Sequence, residues 1–161
     1  MFKQQTKLVK LAGEMGAEQS SIKSLQIQLA KNHSFRLLAV HQATTNKGGS
    51  TPGIDNVILE TKEEKAEMVE NLLNLLIKAE KGEFKSSPVK RVMIPKANGK
   101  LRPLGIPTIE DRCLQALLKL VLEPIVELNS DPNSYGFRPL RGAKNAVAAI
   151  RTTLKSGLES K

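Results

Sequence analysis

Cysteine, aromatic residues and paired carboxylates are all scarce in this sequence. Cys113 is the single cysteine, so an intrachain disulfide and a multi-thiolate metal site are both excluded. It falls in an apolar helical run and reads as a small buried hydrophobe. Aromatic residues make up 3% and tryptophan is absent, so the core must be aliphatic and few rings are available for stacking. No run approaches the ~18 apolar residues of a membrane span. The first nineteen residues lack the apolar segment of a secretory signal, which predicts a soluble, non-secreted chain with no membrane partner. The three aspartates, Asp55, Asp111 and Asp131, are scattered and each suits a turn or a cap; no Asp-Asp pair exists. His33 and His41 lie across a helix break with no ligand pattern around them, so no metal site is expected there.

Basic residues are plentiful by contrast. The formal net charge is +9, which points to a polyanionic partner, nucleic acid before membrane. The charge is concentrated. Between Phe84 and Ile109 stand Lys85, Lys90, Arg91, Lys96, Lys100 and Arg102, with no acid among them. The stretch Lys90 to Arg112, KRVMIPKANGKLRPLGIPTIEDR, has two apolar runs around Asn98-Gly99 and predicts a β-hairpin. Pro95 and Pro103 lack an N–H, so the hairpin should project or lie at an edge. A two-residue turn would put Lys96 and Arg102 on opposite faces. A three-residue turn with Gly99 left-handed pairs Lys96 with Lys100 and Ile94 with Arg102, and collects these cations on one face; it is the favoured register. Charge alone does not separate a phosphate grip from an ordinary solvated hairpin face.

Periodicity predicts a mostly helical chain around this hairpin. Residues 1–19 read as a flexible or partly helical leader. Helices follow from Ser20 or Ser21, carrying Ile22, Leu25 and Leu29, and from about Phe35. Residues 44–55 form a glycine-rich loop, in which N–H groups near Gly48, Gly49 and Gly53, with Lys47, are candidates for a phosphate nest. Thr61 and Glu64 make a capping box for a helix with Val69, Leu72, Leu73 and Leu76 on one face. Thr108 caps a helix that is apolar nearly all round and reads as central and buried, with Pro124 ending or kinking it. Arg112 lies in its first turn, where the dipole disfavours a cation, so a phosphate or a template base is its expected partner. Tyr135 and Phe137, in a polar loop, are candidates for base contact or for packing onto the core. A last helix, from about Arg141, is expected to turn Ala143, Ala146, Val147 and Ile150 inward.

Three ordered blocks resemble one family. Arg91-Val92-x-Ile94-Pro95-Lys96-x-Asn98-Gly99-Lys100-x-Arg102-Pro103-Leu104-Gly105-Ile106-Pro107-Thr108-x-x-Asp111-Arg112 is similar to the finger region of group II intron reverse transcriptases, the intron-encoded maturases. Asn46-Lys47-Gly48-x-x-Thr51-Pro52-Gly53-Ile54-Asp55 and Ser134-Tyr135-Gly136-Phe137-Arg138-Pro139-x-Arg141 match upstream and downstream, so the resemblance covers about residues 20–150. It implies an α+β fold, a mostly helical finger subdomain with a small antiparallel hairpin. The implied divisions are the leader 1–19, a helical region 20–85 with a lid loop near the template, and a finger region 86–161 that stops before the palm.

The resemblance also implies roles. Lys96 and Arg102 match the residues that hold the incoming nucleotide's triphosphate, and Lys90, Arg91, Ile106, Pro107 and Arg112 match the template surface. Lys47 and Lys100, with Tyr135, Phe137, Arg138 and Arg141, complete the expected RNA-facing set. The metal-binding aspartates of the family lie in the palm, so Mg2+ is expected only with that missing part, and no polymerase activity from this chain alone. The expected partner is RNA, with group II intron RNA foremost, in a bacterial cytoplasm or an organelle. Alternatives are one part of a split enzyme completed by a separate palm and thumb polypeptide, or a remnant without function. Asn56 and Leu140 stand where the family usually has glycine.

Overall fold

The computed structural model describes residues 2–15 and 20–159. Six helices and one two-stranded antiparallel sheet follow in the order α1 (Phe2–Met15), α2 (Ser20–Lys31), α3 (His33–Thr45), α4 (Lys62–Glu80), β1 (Lys90–Pro95), β2 (Leu101–Ile106), α5 (Ile109–Asn129) and α6 (Ala143–Glu159). The mostly helical α+β expectation holds.

Each helix start is written locally. Asn32 separates α2 from α3 because its side chain accepts the Ser34 N–H at 2.9 Å, an N-cap. Thr61 and Glu64 form the full capping box on α4: the hydroxyl accepts the Glu64 N–H at 3.2 Å, and the carboxylate accepts the Thr61 N–H at 3.0 Å. Gly82, at φ +73°, ends that helix. Val69, Leu72 and Leu75 of α4 are buried, whereas Leu73 and Leu76 are half-buried.

Helix α5 is the hub and packs against α1, α2, α3 and α4. Phe35, Val40, Leu72, Ile109, Cys113 and Leu117 form the fully buried centre. Burial pushes the Cys113 thiol up to about 12, so this side chain is an unreactive packing group.

The leader takes the helical alternative, and three other expectations are corrected here. The leader is helical over Phe2–Met15 and joins the core, because Leu8 and Ala12 of α1 are buried and α1 packs along α5. Pro124 does not end α5, which runs on to Asn129. A proline there lacks the N–H that would reach the Leu120 carbonyl, and the Gln5 side-chain amide of α1 donates to that oxygen at 3.0 Å instead. Nor is α5 buried all round, and α6 does not turn an apolar face inward. Leu118, Leu122 and Val126 of α5 and Val147, Ile150 and Leu154 of α6 are all exposed, since α6 packs against no other element among the described residues.

Arg36 is a feature the periodicity hides. It is buried on α3, where it donates to the Val69 and Lys31 carbonyls and lies 3.4 Å from the Glu70 carboxylate. These partners satisfy its charge within the core.

Candidate nucleic-acid interface

The hairpin has the three-residue turn. The Lys96 N–H donates to the Lys100 carbonyl at 2.8 Å, Gly99 sits at φ +75°, and Ile94 pairs with Arg102. Strand alternation then places Lys90, Lys96, Lys100 and Arg102 on one face, with Val92, Ile94, Leu104 and Ile106 between them. Arg91 projects from the opposite face, with Met93 and Leu101. The two strands pack only against each other among the described elements, so the hairpin projects from the helical body. None of these five cations has an ion-pair partner among the described residues. A set of donors held on one face with no internal acceptor can bind several phosphates at once.

The base of the hairpin is fastened at two points. Asp111 is buried and accepts the Thr108 hydroxyl at 3.1 Å and the Ser87 N–H at 3.2 Å, which ties the segments entering and leaving the hairpin together. Gly53 of the lid loop presses against Thr108: a Cβ there would lie 2.7 Å from the Thr108 Cα and 3.0 Å from the Pro107 carbonyl. Ile106 and Pro107 are half-buried at this junction.

Arg112 has its partners inside the chain. One Nη donates to the Gly48 carbonyl at 2.5 Å, the other to the Thr51 carbonyl at 2.7 Å, and Nε to the Thr108 carbonyl at 3.4 Å. Through these bonds the guanidinium braces the lid. The glycines of the loop also serve close packing more than a nest. The Gly49 N–H is spent on the Asn46 carbonyl at 2.7 Å, and a Cβ at Gly49 would lie 2.3 Å from the Thr44 carbonyl. Lys47 is exposed beside it.

The downstream block lies elsewhere. Helix α5, 21 residues long and so ~30 Å from end to end, separates the hairpin from residues 130–142. The expected RNA-facing residues therefore fall into two clusters. Arg138 is sequestered in its own loop, forking onto Glu127 at 2.6 and 2.9 Å and donating to the Asp131 and Ser134 carbonyls. Arg141 donates to the Pro132 carbonyl at 2.6 Å, and its guanidinium lies 5.7 Å over the Tyr135 ring. Only Phe137 in this cluster stands free, fully exposed at φ +58°.

The Arg138 guanidinium holds the Glu127 carboxyl below the usual carboxylate range, chiefly through their hydrogen bond. A depressed carboxyl supports the loop above its ordinary pKa of 4.5 and loses that support as pH falls through the lowered value. Amide protection at residues 131–141, taken relative to the intrinsic exchange rate at each pH, should therefore fall in acid, and Glu127→Gln should show the same loss of protection at neutral pH. Protection that stays constant with pH would contradict this.

Asn56 and Leu140, the two positions where the resembling family usually has glycine, adopt φ +55° and +57°. Asparagine tolerates this region, but leucine is strained by ~1–2 kcal/mol, and the Leu140 side chain is fully exposed and offers no packing in return. Leu140→Gly should stabilise the chain by ~0.5–1 kcal/mol in urea unfolding once glycine's extra chain entropy is deducted. Asn56→Gly should be near neutral. A destabilised Leu140→Gly variant would count against the left-handed backbone.

The N-terminal domain of reverse transcriptase matches residues 1–72. The chain is 39% identical over 110 residues to Protein YkfC of Escherichia coli (strain K12), covering 68% of this chain and 28% of that protein. It is 36% identical over 116 residues to the Group II intron-encoded protein LtrA of Lactococcus lactis subsp. cremoris, covering 71% of this chain and 18% of that protein. It is 33% identical over 125 residues to an uncharacterized 91 kDa protein in the cob intron of Schizosaccharomyces pombe, covering 77% and 15%. The chain thus spans less than a third of the length of each of these relatives. No helix among the described residues is long and apolar enough to cross a membrane. With the domain match from α1 into the first half of α4 and intron-encoded relatives in bacteria and a fungus, this chain belongs with the N-terminal region of the group II intron reverse transcriptases and maturases.

Proposed function

We propose that this chain is an RNA-binding finger module that acts in intron RNA binding or splicing and has no polymerase activity of its own. The observation that carries this is the hairpin face, where Lys90, Lys96, Lys100 and Arg102 align with no internal acceptor. Within that face Lys96 and Arg102 take the triphosphate of a nucleotide when a palm is present, and the remaining cations follow the template backbone. Asp55, Asp111 and Asp131 are committed to local structure, accepting the N–H groups of Val57, Ser87 and Asn133 respectively. Mg2+ therefore belongs with carboxylates supplied by a palm, where it would align the attacking and leaving oxygens of nucleotidyl transfer. The test is competition between a group II intron RNA and a random RNA of equal length for the purified chain. Preference for the intron supports the module, and equal affinity removes the selective role.

A second reading, one part of a split RNA-directed DNA polymerase, is favoured by the uncovered apolar side chains of α5 and α6, which suit a docking polypeptide. Co-expression with a palm and thumb polypeptide should then yield a stable complex with polymerase activity that neither part has alone.

A further inference from the structure

The hairpin carries its cations on a support that has little to hold it. Its strands pack against no other element among the described residues, and a two-stranded sheet alone is marginal in water. The cationic face is also long. Lys90 opens β1 while Lys96 and Lys100 flank the turn beyond its other end, so ~20 Å of strand separates base from tip. Such a face presents its donors together only while its two legs stay in register.

One carboxylate oxygen holds those legs. Oδ2 of Asp111 accepts the Ser87 N–H at 3.2 Å, in the leg that enters β1, and the Thr108 hydroxyl at 3.1 Å, in the leg that leaves β2. The Thr108 oxygen in turn accepts the Asp111 N–H at 3.2 Å. Asp111 is only 7% exposed, and its turn of α5 is tied to α4, because the Asn71 side chain donates to Glu110 at 2.6 Å. Next to this clasp the legs touch directly: a Cβ on Gly105 would lie 2.9 Å from a methyl of Val89. Lys90 is half-buried at this end, whereas Lys96, Lys100 and Arg102 are exposed toward the tip.

We infer that Asp111 is a positioning residue of the phosphate grip: by pinning both legs through one oxygen it keeps the base cation, Lys90, in register with the three cations of the tip. The inference rests on the RNA-binding reading and adds to it the group that preorganises the binding face. Asp111 touches no ligand itself. Its effect is to spare the ligand the cost of ordering the hairpin.

Two probes of different length test it on the full chain: inorganic triphosphate, which reaches only the tip, and an oligouridylate longer than the hairpin. Asp111→Ala should leave triphosphate affinity within twofold of wild type. It should weaken the oligouridylate about fivefold at 0.1 M salt and lower the salt slope by ~0.7, the share of one phosphate contact. Amide protection should fall at residues 90–92 and 104–106 and persist at 94 and 102. Asp111→Asn retains an oxygen that can accept both donors and should restore all three readouts. Equal losses for the two probes would make Asp111 a residue of the fold at large, and an unchanged oligouridylate affinity would make it a helix cap alone; either overturns the positioning role and leaves the RNA reading standing. Asp111→Asn as weak as Asp111→Ala would overturn the clasp by placing the effect on charge. A wild-type chain that binds neither probe would overturn both readings.

Discussion

Lys96→Ala combined with Arg102→Ala is expected to weaken binding of inorganic triphosphate roughly a hundredfold, because each charge-assisted hydrogen bond contributes ~1.5–3 kcal/mol. The two residues lie on one face of the hairpin beside Lys100, with exposed side chains and no acid in the surrounding segment to compete for them. RNA affinity should fall far less, about threefold to tenfold at moderate salt, since Lys90 and Lys100 on the same face and Arg91 on the other remain. The readout is the ratio of the two losses by titration calorimetry. Equal losses would contradict separate roles for these cations, and an unchanged triphosphate affinity would make the face an ordinary solvated one.

Arg112→Ala should free the lid loop. Bonds of 2.5 and 2.7 Å from its two Nη atoms hold the Gly48 and Thr51 carbonyls. Their loss should cost about 2 kcal/mol of stability and markedly accelerate amide exchange over residues 47–55. Arg112→Lys should not restore protection, because one ammonium lacks the planar fork that reaches both carbonyls. Unchanged loop exchange accompanied by lower RNA affinity would instead return Arg112 to direct template contact.

Much of the architecture was legible because its causes are local. Gly99 fixed the hairpin register through one left-handed residue, and Thr61, Glu64 and Thr108 marked helix starts within a single turn. What was not legible depends on partners far apart in the chain. Gln5 and Leu120 are 115 positions apart, yet their hydrogen bond is what lets α5 pass through Pro124 and draws the leader into the core. The carbonyl partners of Arg112 lie 61 and 64 positions away, so its bracing of the lid could not be read from its place in the first turn of a helix. Apolar periodicity on α6 correctly gave a helix but not its neighbour, because Val147, Ile150 and Leu154 are exposed and α6 packs against no other helix or strand among the described residues. Leu140, where the resembling family usually has glycine, was visible as a departure from that pattern, and the backbone at φ +57° supplies its physical meaning.

The most direct test of the central claim is the affinity of the purified chain for single-stranded RNA across a salt series. A hairpin that grips phosphates through its cationic face should give a linear fall of log affinity against log salt, with a slope near −3, at ~0.7 per phosphate for about four contacts. Lys90→Ala, Lys96→Ala, Lys100→Ala and Arg102→Ala together should flatten that slope to about −0.7 or less, what Arg91 alone can supply. Wild-type binding that is insensitive to salt, or a steep slope that survives removal of all four cations, would contradict the account.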